Sequence, residues 1–192
     1  LELLSVFDML CLVILIVIQT LAAMKMAVLN KLLEQRAYTD THTGLPNKSA
    51  CEELLNNKET VGKHTACIMF DLNNLKIIND TKGHLMGDQL ILNFAGLLRN
   101  VIPQKDFVGR YGGDEFMVVI YNTSKTEIED ILKQLSREKD RLNSSGNNMP
   151  IDYACGWAIS DADSECTIQM LLDKADYYMY ENKQAYKKSK KS

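Results

Sequence analysis

Apolar and polar positions follow three different rhythms along the chain, and each predicts its own kind of element. From Met9 to Met24 the sequence MLCLVILIVIQTLAAM holds only Gln19 and Thr20 as polar residues. Extended to Leu29, the run reaches the ~20 residues a helix needs to cross a bilayer, with Lys25 able to snorkel at one end. A cleaved signal peptide would carry a basic leader, whereas Glu2 and Asp8 are acidic. A buried amphipathic helix would show a polar face, which Met9 to Ile18 lacks. A transmembrane helix over residues 1–24 is the expectation, as the end of a longer N-terminal region, because the chain opens on leucine. Lys25, Lys31 and Arg36 come after it, so the positive-inside rule places the rest in the cytoplasm at the inner membrane.

The second rhythm runs from Lys25 to Tyr38, a stretch without Gly or Pro in which Met26, Leu29 and Leu33 recur at spacings of three and four. Over residues 25–39 this suits a short two-stranded coiled coil that pairs two copies of the C-terminal domain. A single helix packing its stripe on that domain fits the same three positions.

The third rhythm, over residues 40–192, alternates short apolar runs with helical periods. Asp40 to Asn47 is turn-rich, and Asn47 opens a helix through Asn56. Thr65 to Phe70 reads as a strand that stops at Asp71. Helical spacing comes next over Leu72 to Asp80 and Gly87 to Val101, with Asn79 to His84 as the turn between them. Phe107-Val108 and Phe116 to Ile120 flank Gly112-Gly113 as a tight hairpin, because glycine takes the positive φ of such turns. An amphipathic helix over Thr126 to Leu142, a strand over Ile151 to Ile159 and a helix from Ser164 to about Lys187 complete the order. The pattern predicts an α/β (α+β) sandwich: a mixed central sheet with a β-hairpin, and helices on both faces.

Composition narrows the classes. Of 192 residues, 46% are apolar, enough for a core, and the net charge of −3 implies no general polyanion-binding surface, so no nucleic acid is expected as partner. The five cysteines form no CxxC pair, which reads as a reducing compartment without a disulfide framework. The three histidines show no zinc-ligand spacing.

Candidate chemistry gathers at two places. Asp71 ends a buried strand, where open α/β folds place ligands. If the hairpin lies beside that strand, Asp71 converges with Asp114 or Glu115 into a hard-oxygen site suited to Mg²⁺. Alone, without Asp114, Asp71 reads first as the N-cap of a helix beginning at Leu72. Asn79, His84 and Asp88 form the second group: an amide and a carboxylate facing one pocket can read the edge of guanine, while Asp88 near a helix start also suits capping. Lys76 and Lys183 could neutralise phosphates or lie solvated.

Taken together, RYGGDEF at 110–116, DTHTGLPNK at 40–48, DLNNLKIINDTKGHLMGD at 71–88 and ADYYMYENK at 175–183 resemble the GGDEF-domain diguanylate cyclases in order and spacing. The resemblance implies that Asp71, the backbone carbonyl of Leu72 and Asp114 hold Mg²⁺, up to two ions per half-site. Glu115 would assist the metal or activate the attacking hydroxyl. Asn79 and Asp88 would recognise guanine, with His84 nearby. Lys76 and Lys183 would contact phosphates, Lys76 counting with Asp114 and Glu115 as catalytic. Lys187 would supply a point charge where the family often has arginine. The implied reaction joins two GTP into cyclic di-GMP with release of two pyrophosphates across a two-fold homodimer. Pro103 stands where many members carry the arginine of an RxxD product-inhibition site, although Asp106 remains. Leu75, His42 and Tyr186-Lys187 also depart from the pattern, which leaves a non-catalytic GTP-binding module that docks a partner as the alternative.

Overall fold

The uninterrupted apolar run forms one helix in the computed structural model, which describes residues 5–56, 61–62, 64–145, 150–160 and 166–189. Helix α1 (Val6–Tyr38) has 33 residues and passes without a break from the apolar span into the Met26 to Leu33 stretch. It is roughly 50 Å long, and by length and composition it can cross a membrane. Its described side chains are exposed. The chain divides into two compact units, Leu1–Tyr38 and Thr39–Ser192.

The second unit contains α2 (Lys48–Asn56), β1 (Ala66–Leu72), α3 (Leu75–Lys82), α4 (His84–Val101), β2 (Phe107–Arg110), β3 (Glu115–Ile120), α5 (Lys125–Ser144), β4 (Tyr153–Ile159) and α6 (Ile168–Ser189). The strands stand in the order β2-β3-β1-β4. The α/β sandwich, the hairpin and the helices on both faces are as the pattern predicts. The sheet, however, is antiparallel in every ladder rather than mixed. The reason is topological. The α3–α4 crossover returns the chain parallel to β1 but one place further out, and β3 fills the gap. The α5 crossover from β3 to β4 straddles β1 in the same way. Parallel strands are therefore never neighbours, which is the split βαβ arrangement.

Alternation along the strands gives each face its own core. Ala66, Ile68, Phe70, Leu72, Phe116, Val118 and Ile120 pack with α4 and α5. Cys67, Met69, Met117 and Val119 pack with α2 and α6. Phe94 of α4 stands edge-on to Phe70 at 5.7 Å and to Phe116 at 5.0 Å between ring centres. These contacts are worth about 1 kcal/mol each beyond area burial, and they fix the strand ends beside Asp71 and Glu115.

Several boundaries move. β1 continues through Asp71 and Leu72, because Asp71 is paired on both sides, with Glu115 and with Ala154. α3 begins only at Leu75, after Asn74 takes a left-handed conformation (φ 63°). It then runs to Lys82, so Asn79 to Lys82 is helix rather than turn; Gly83, at φ 87°, makes the whole break, and α4 starts at once. The side chain of Asn47 accepts from the Ala50 amide at 3.1 Å and caps α2 as expected. The expected start of the last helix, Ser164 and Glu165, lies outside the described residues.

Candidate functional site

Two strand positions build the centre of the site. Asp71 and Glu115 are directly opposite in the β1–β3 ladder, and opposed residues of an antiparallel pair project to the same face. Here that is the face covered by α2 and α6, as the alternation with Phe70 and Phe116 requires. From α6, Lys183 reaches across and donates to Asp71 Oδ2 at 2.6 Å. Asp71 is 6% exposed, and its other oxygen, Oδ1, is buried without a partner. Its expected alternative as an N-cap does not hold, since α3 is preceded by Asn74 and starts three residues later than Leu72.

The hairpin loop, Tyr111 to Asp114, leads directly into Glu115 at the start of β3. The amides of Tyr111 and Gly112 both donate to the Glu115 carbonyl, at 2.9 and 3.1 Å, and the Leu72 amide donates to the Asp114 carbonyl at 2.9 Å. The last bond ties the loop to β1 directly beside Asp71. Neither Gly112 nor Gly113 takes a positive φ, contrary to the expectation for a tight two-residue turn. Gly112 instead lies against the Glu115 side chain: a Cβ there would come within 2.6 Å of Glu115 Oε2 and turn the carboxylate aside. The loop is four residues wide, and its glycine makes room for a carboxylate rather than for a backbone conformation. Burial pushes the Glu115 pKa up, Asp114, Asp71 and Asp176 push it further, and Lys183 opposes them. Asp176 is a neighbour that the pattern along the chain does not announce, because it comes from a helix packed on the sheet.

The second group assembles around Gly87. Asn79 of α3 is half-buried and its side-chain oxygen lies against Gly87 of α4, where a Cβ would collide with it. Asp88 is the next residue, so the missing side chain of Gly87 lets the Asn79 amide lie beside the α4 turn that carries Asp88. Asp88 is not a cap: α4 begins at His84 with Gly83 as N-cap, and Asp88 lies beyond the first turn. Its backbone carbonyl meets His42 Nε2 at 3.1 Å. His84 is exposed at the start of α4.

Other expected residues are placed less centrally. Lys76 is exposed on α3 and forms no ion pair among the described residues, and Lys187 is exposed one turn beyond Lys183. Lys183 is thus the lysine that the fold brings to the carboxylates. Asp106 serves the hairpin, accepting from the Tyr121 amide at 3.1 Å. Arg110 belongs to the motif without an expected role, and the structure supplies one. Its Nη1 contacts both oxygens of Asp40, at 3.3 and 3.2 Å, while Nη2 donates to the Gly113 carbonyl at 2.8 Å. Burial pulls the Asp40 pKa up, but hydrogen bonds from Thr43 and the Arg110 guanidinium outweigh it, and the net shift is downward.

Among the described residues no group of three or more His, Cys, Asp or Glu side chains forms a ready cation cage. The donor set still fits a divalent cation with few protein ligands. Asp71 offers a buried, unpartnered oxygen, and the neighbouring Glu115 is crowded by like charge. Mg²⁺ takes one or two carboxylates and completes its shell with water and substrate phosphate.

A family model described as "Diguanylate cyclase, GGDEF domain" matches residues 37–189. "Signaling protein YkoW" of Bacillus subtilis is 32% identical over 164 residues, covering 82% of this chain and 20% of that protein. "Diguanylate cyclase DgcP" of Pseudomonas aeruginosa is 31% identical over 156 residues, covering 79% of this chain and 23% of that protein. The chain thus spans under a quarter of either relative. Proteins named as cyclic di-GMP phosphodiesterases match as well. The crystal structure of the coiled coil and GGDEF domain of DgcB from Caulobacter crescentus, in complex with c-di-GMP, is similar with a TM-score of 0.76 at 22% identity. It covers 91% of this chain and 95% of that one, and it shows the shared fold.

Proposed function

The chain belongs to the GGDEF-domain family, and from that premise we propose that it is a membrane-anchored diguanylate cyclase, condensing two GTP into cyclic di-GMP and two pyrophosphates. The observation that carries the reading is the Asp71–Glu115 pair, opposed across one ladder and met by Lys183 from α6. With Asp114 and the Leu72 carbonyl adjoining, Asp71 and Glu115 would hold Mg²⁺, which when bound polarises the α-phosphate and eases ionisation of the attacking 3′-hydroxyl.

The chain's own residues do the remaining work. Glu115, opposite Asp71 in the ladder, assists the metal or takes the proton of the hydroxyl as it attacks. Lys183 exchanges Asp71 for the phosphate oxygens of the arriving nucleotide. Asn79 and Asp88 hold the guanine edge, with His84 exposed nearby at the start of α4. Each subunit holds one GTP, so two subunits must face each other, and the helix leaving the membrane raises their effective concentration. With proline at 103, product has no guanidinium fork at that position, and feedback through it is absent. The catalytic unit lies on the cytoplasmic side.

The test is a product assay. The full chain in detergent, given GTP and Mg²⁺, makes cyclic di-GMP, and Asp114→Ala or Glu115→Ala abolishes it. Dimers enforced by a fused zipper that yield no product at saturating GTP would sink the reading. A second reading, a GTP-binding module that acts by docking, is supported by the Leu75 and Tyr186-Lys187 departures and by the phosphodiesterase-named relatives. Thermal stabilisation by GTP without any turnover would establish it instead.

A further inference from the structure

β4 is an outer strand of the sheet, paired with β1 over Tyr153 to Ile159 on one side only. No other strand of the described residues takes up its second row of backbone donors and acceptors. Edge strands are commonly guarded by charge or proline, yet Tyr-Ala-Cys-Gly-Trp-Ala-Ile contains neither. The opposite edge is treated differently. β2 has four residues, and the Arg110 amide at its end is already bonded to the Pro46 carbonyl at 2.8 Å.

A cleft of about 590 Å³ runs along β4 between the start of α5 and α6. Trp157 and Ile159 line it from the strand, Tyr178 and Asn182 from α6. The charged residues of its lining are Lys125 and Lys174, in a chain whose net charge is −3. Lys125 belongs to the helix on one face of the sheet and Lys174 to the helix on the other. The ion pair of Lys125 with Glu129, at 3.9 Å, is exposed and weak. Successive side chains of an added strand point to opposite faces, so acids an odd number of positions apart would meet both ammonium groups. A second copy of β4 would instead bring lysines against lysines.

The geometry points to β4 as a docking edge for an extended, acidic segment of a partner protein, added as an outer fifth strand by β-augmentation. The occupant also touches the helix that governs Asp71. α6 lies backbone to backbone on β4 at Gly156, and Asn182 of the cleft adjoins Lys183. A docked strand therefore stiffens the support of the candidate site from outside it.

Trp157 is the single tryptophan of the chain, so its emission reports the cleft directly. The probe is an acetylated seven-residue peptide of Val and Thr with Glu at its second and fifth positions, titrated into the full chain in detergent. Its counterpart carries Lys at those positions. The acidic peptide gives a saturable change in Trp157 emission, and the basic one binds at least roughly tenfold more weakly. The Lys125→Glu/Lys174→Glu double variant reverses that preference, with circular dichroism checking its fold; the two-peptide comparison on the unaltered chain stands without it. The proposal is overturned by no saturable change, by equal binding of both peptides, or by unimpaired binding of an acidic peptide N-methylated at alternate amides. A Trp157 shift that tracks protein concentration alone would assign the edge to a second copy and overturn it equally. None of these readouts involves GTP, so the result is independent of the cyclase reading.

Discussion

Two glycines hold the two halves of the candidate site in place, and they do so against different neighbours. At Gly156 an added Cβ would run into the backbone of Met179 and Ala175, so α6 rests directly on β4. At Gly87 it would meet the end of the Asn79 side chain. Backbone within a packed helix cannot yield without moving the helix, whereas an amide group can rotate away. The carboxylate half is therefore bound to the integrity of the fold, and the Asn79–Asp88 half, proposed to read the nucleobase, is adjustable at little structural cost. Stability and affinity should separate along that line.

The sharpest test is Gly156→Ala. The new methyl must push α6 off β4, costing about 3 kcal/mol of stability, and it displaces Lys183 from Asp71 as the helix shifts. We expect a lowered urea midpoint together with a loss of cyclic di-GMP synthesis of roughly 100-fold or more. An unchanged midpoint would show that α6 can slide, and the rigid half of the comparison would fall.

Gly87→Ala comes next and should behave oppositely. The Asn79 amide swings out of place, the helix pair keeps its backbone, and the unfolding midpoint stays within the roughly 0.5 kcal/mol usual for tolerated sites. The KM for GTP rises about tenfold while kcat changes little, since a lost contact to the base weakens ground-state and transition-state binding alike. A KM unaltered by the substitution would remove Asn79 from nucleotide recognition.

The same contrast explains what the amino-acid pattern could and could not disclose. Asp71 was legible because a charged residue interrupts an apolar run, and Glu115 because it comes after a glycine pair between two β-prone runs. Strand alternation then assigns their shared face once the register is known. The register itself, and hence the antiparallel sheet, depends on which strand fills each crossover gap, and no local rhythm carries that. Gly112 was expected to serve a positive φ and instead leaves space beside the Glu115 carboxylate, a spatial relation that period and propensity do not encode. Asn79 was expected in a turn because Asn-Asp-Thr-Lys-Gly looks like one; Gly83 alone breaks the chain, and tertiary packing on α4 extends the helix through the polar residues. Lys183 and Asp176 reach the site from α6, 112 residues from Asp71 in the case of Lys183. The recurring spacing of α6 marks its buried stripe but not which strand end it crosses.

The smallest expected effect tests how firmly the hairpin loop is held from its far side. Asp40 accepts from the Thr43 amide and hydroxyl and faces Arg110, whose other nitrogen grips the Gly113 carbonyl. The Asp40 carboxyl titrates below its ordinary value. A depressed carboxylate pKa contributes stability that is complete above the unfolded value, about 4, and is lost as pH falls through the lower folded value. Asp40→Asn keeps the shape and removes the charge, so the variant should be less stable by under about 1 kcal/mol at neutral pH, the pair being partly solvated. The gap between the two proteins should hold constant from neutral pH down to about 5 and close as pH drops below about 4. Because Arg110 also holds the loop through the Gly113 carbonyl, cyclic di-GMP synthesis by the variant should fall only a few-fold. A gap that widened toward acid pH would mean the aspartate is held protonated, and the Arg110 bracket would then have to be carried by the carbonyl bond alone.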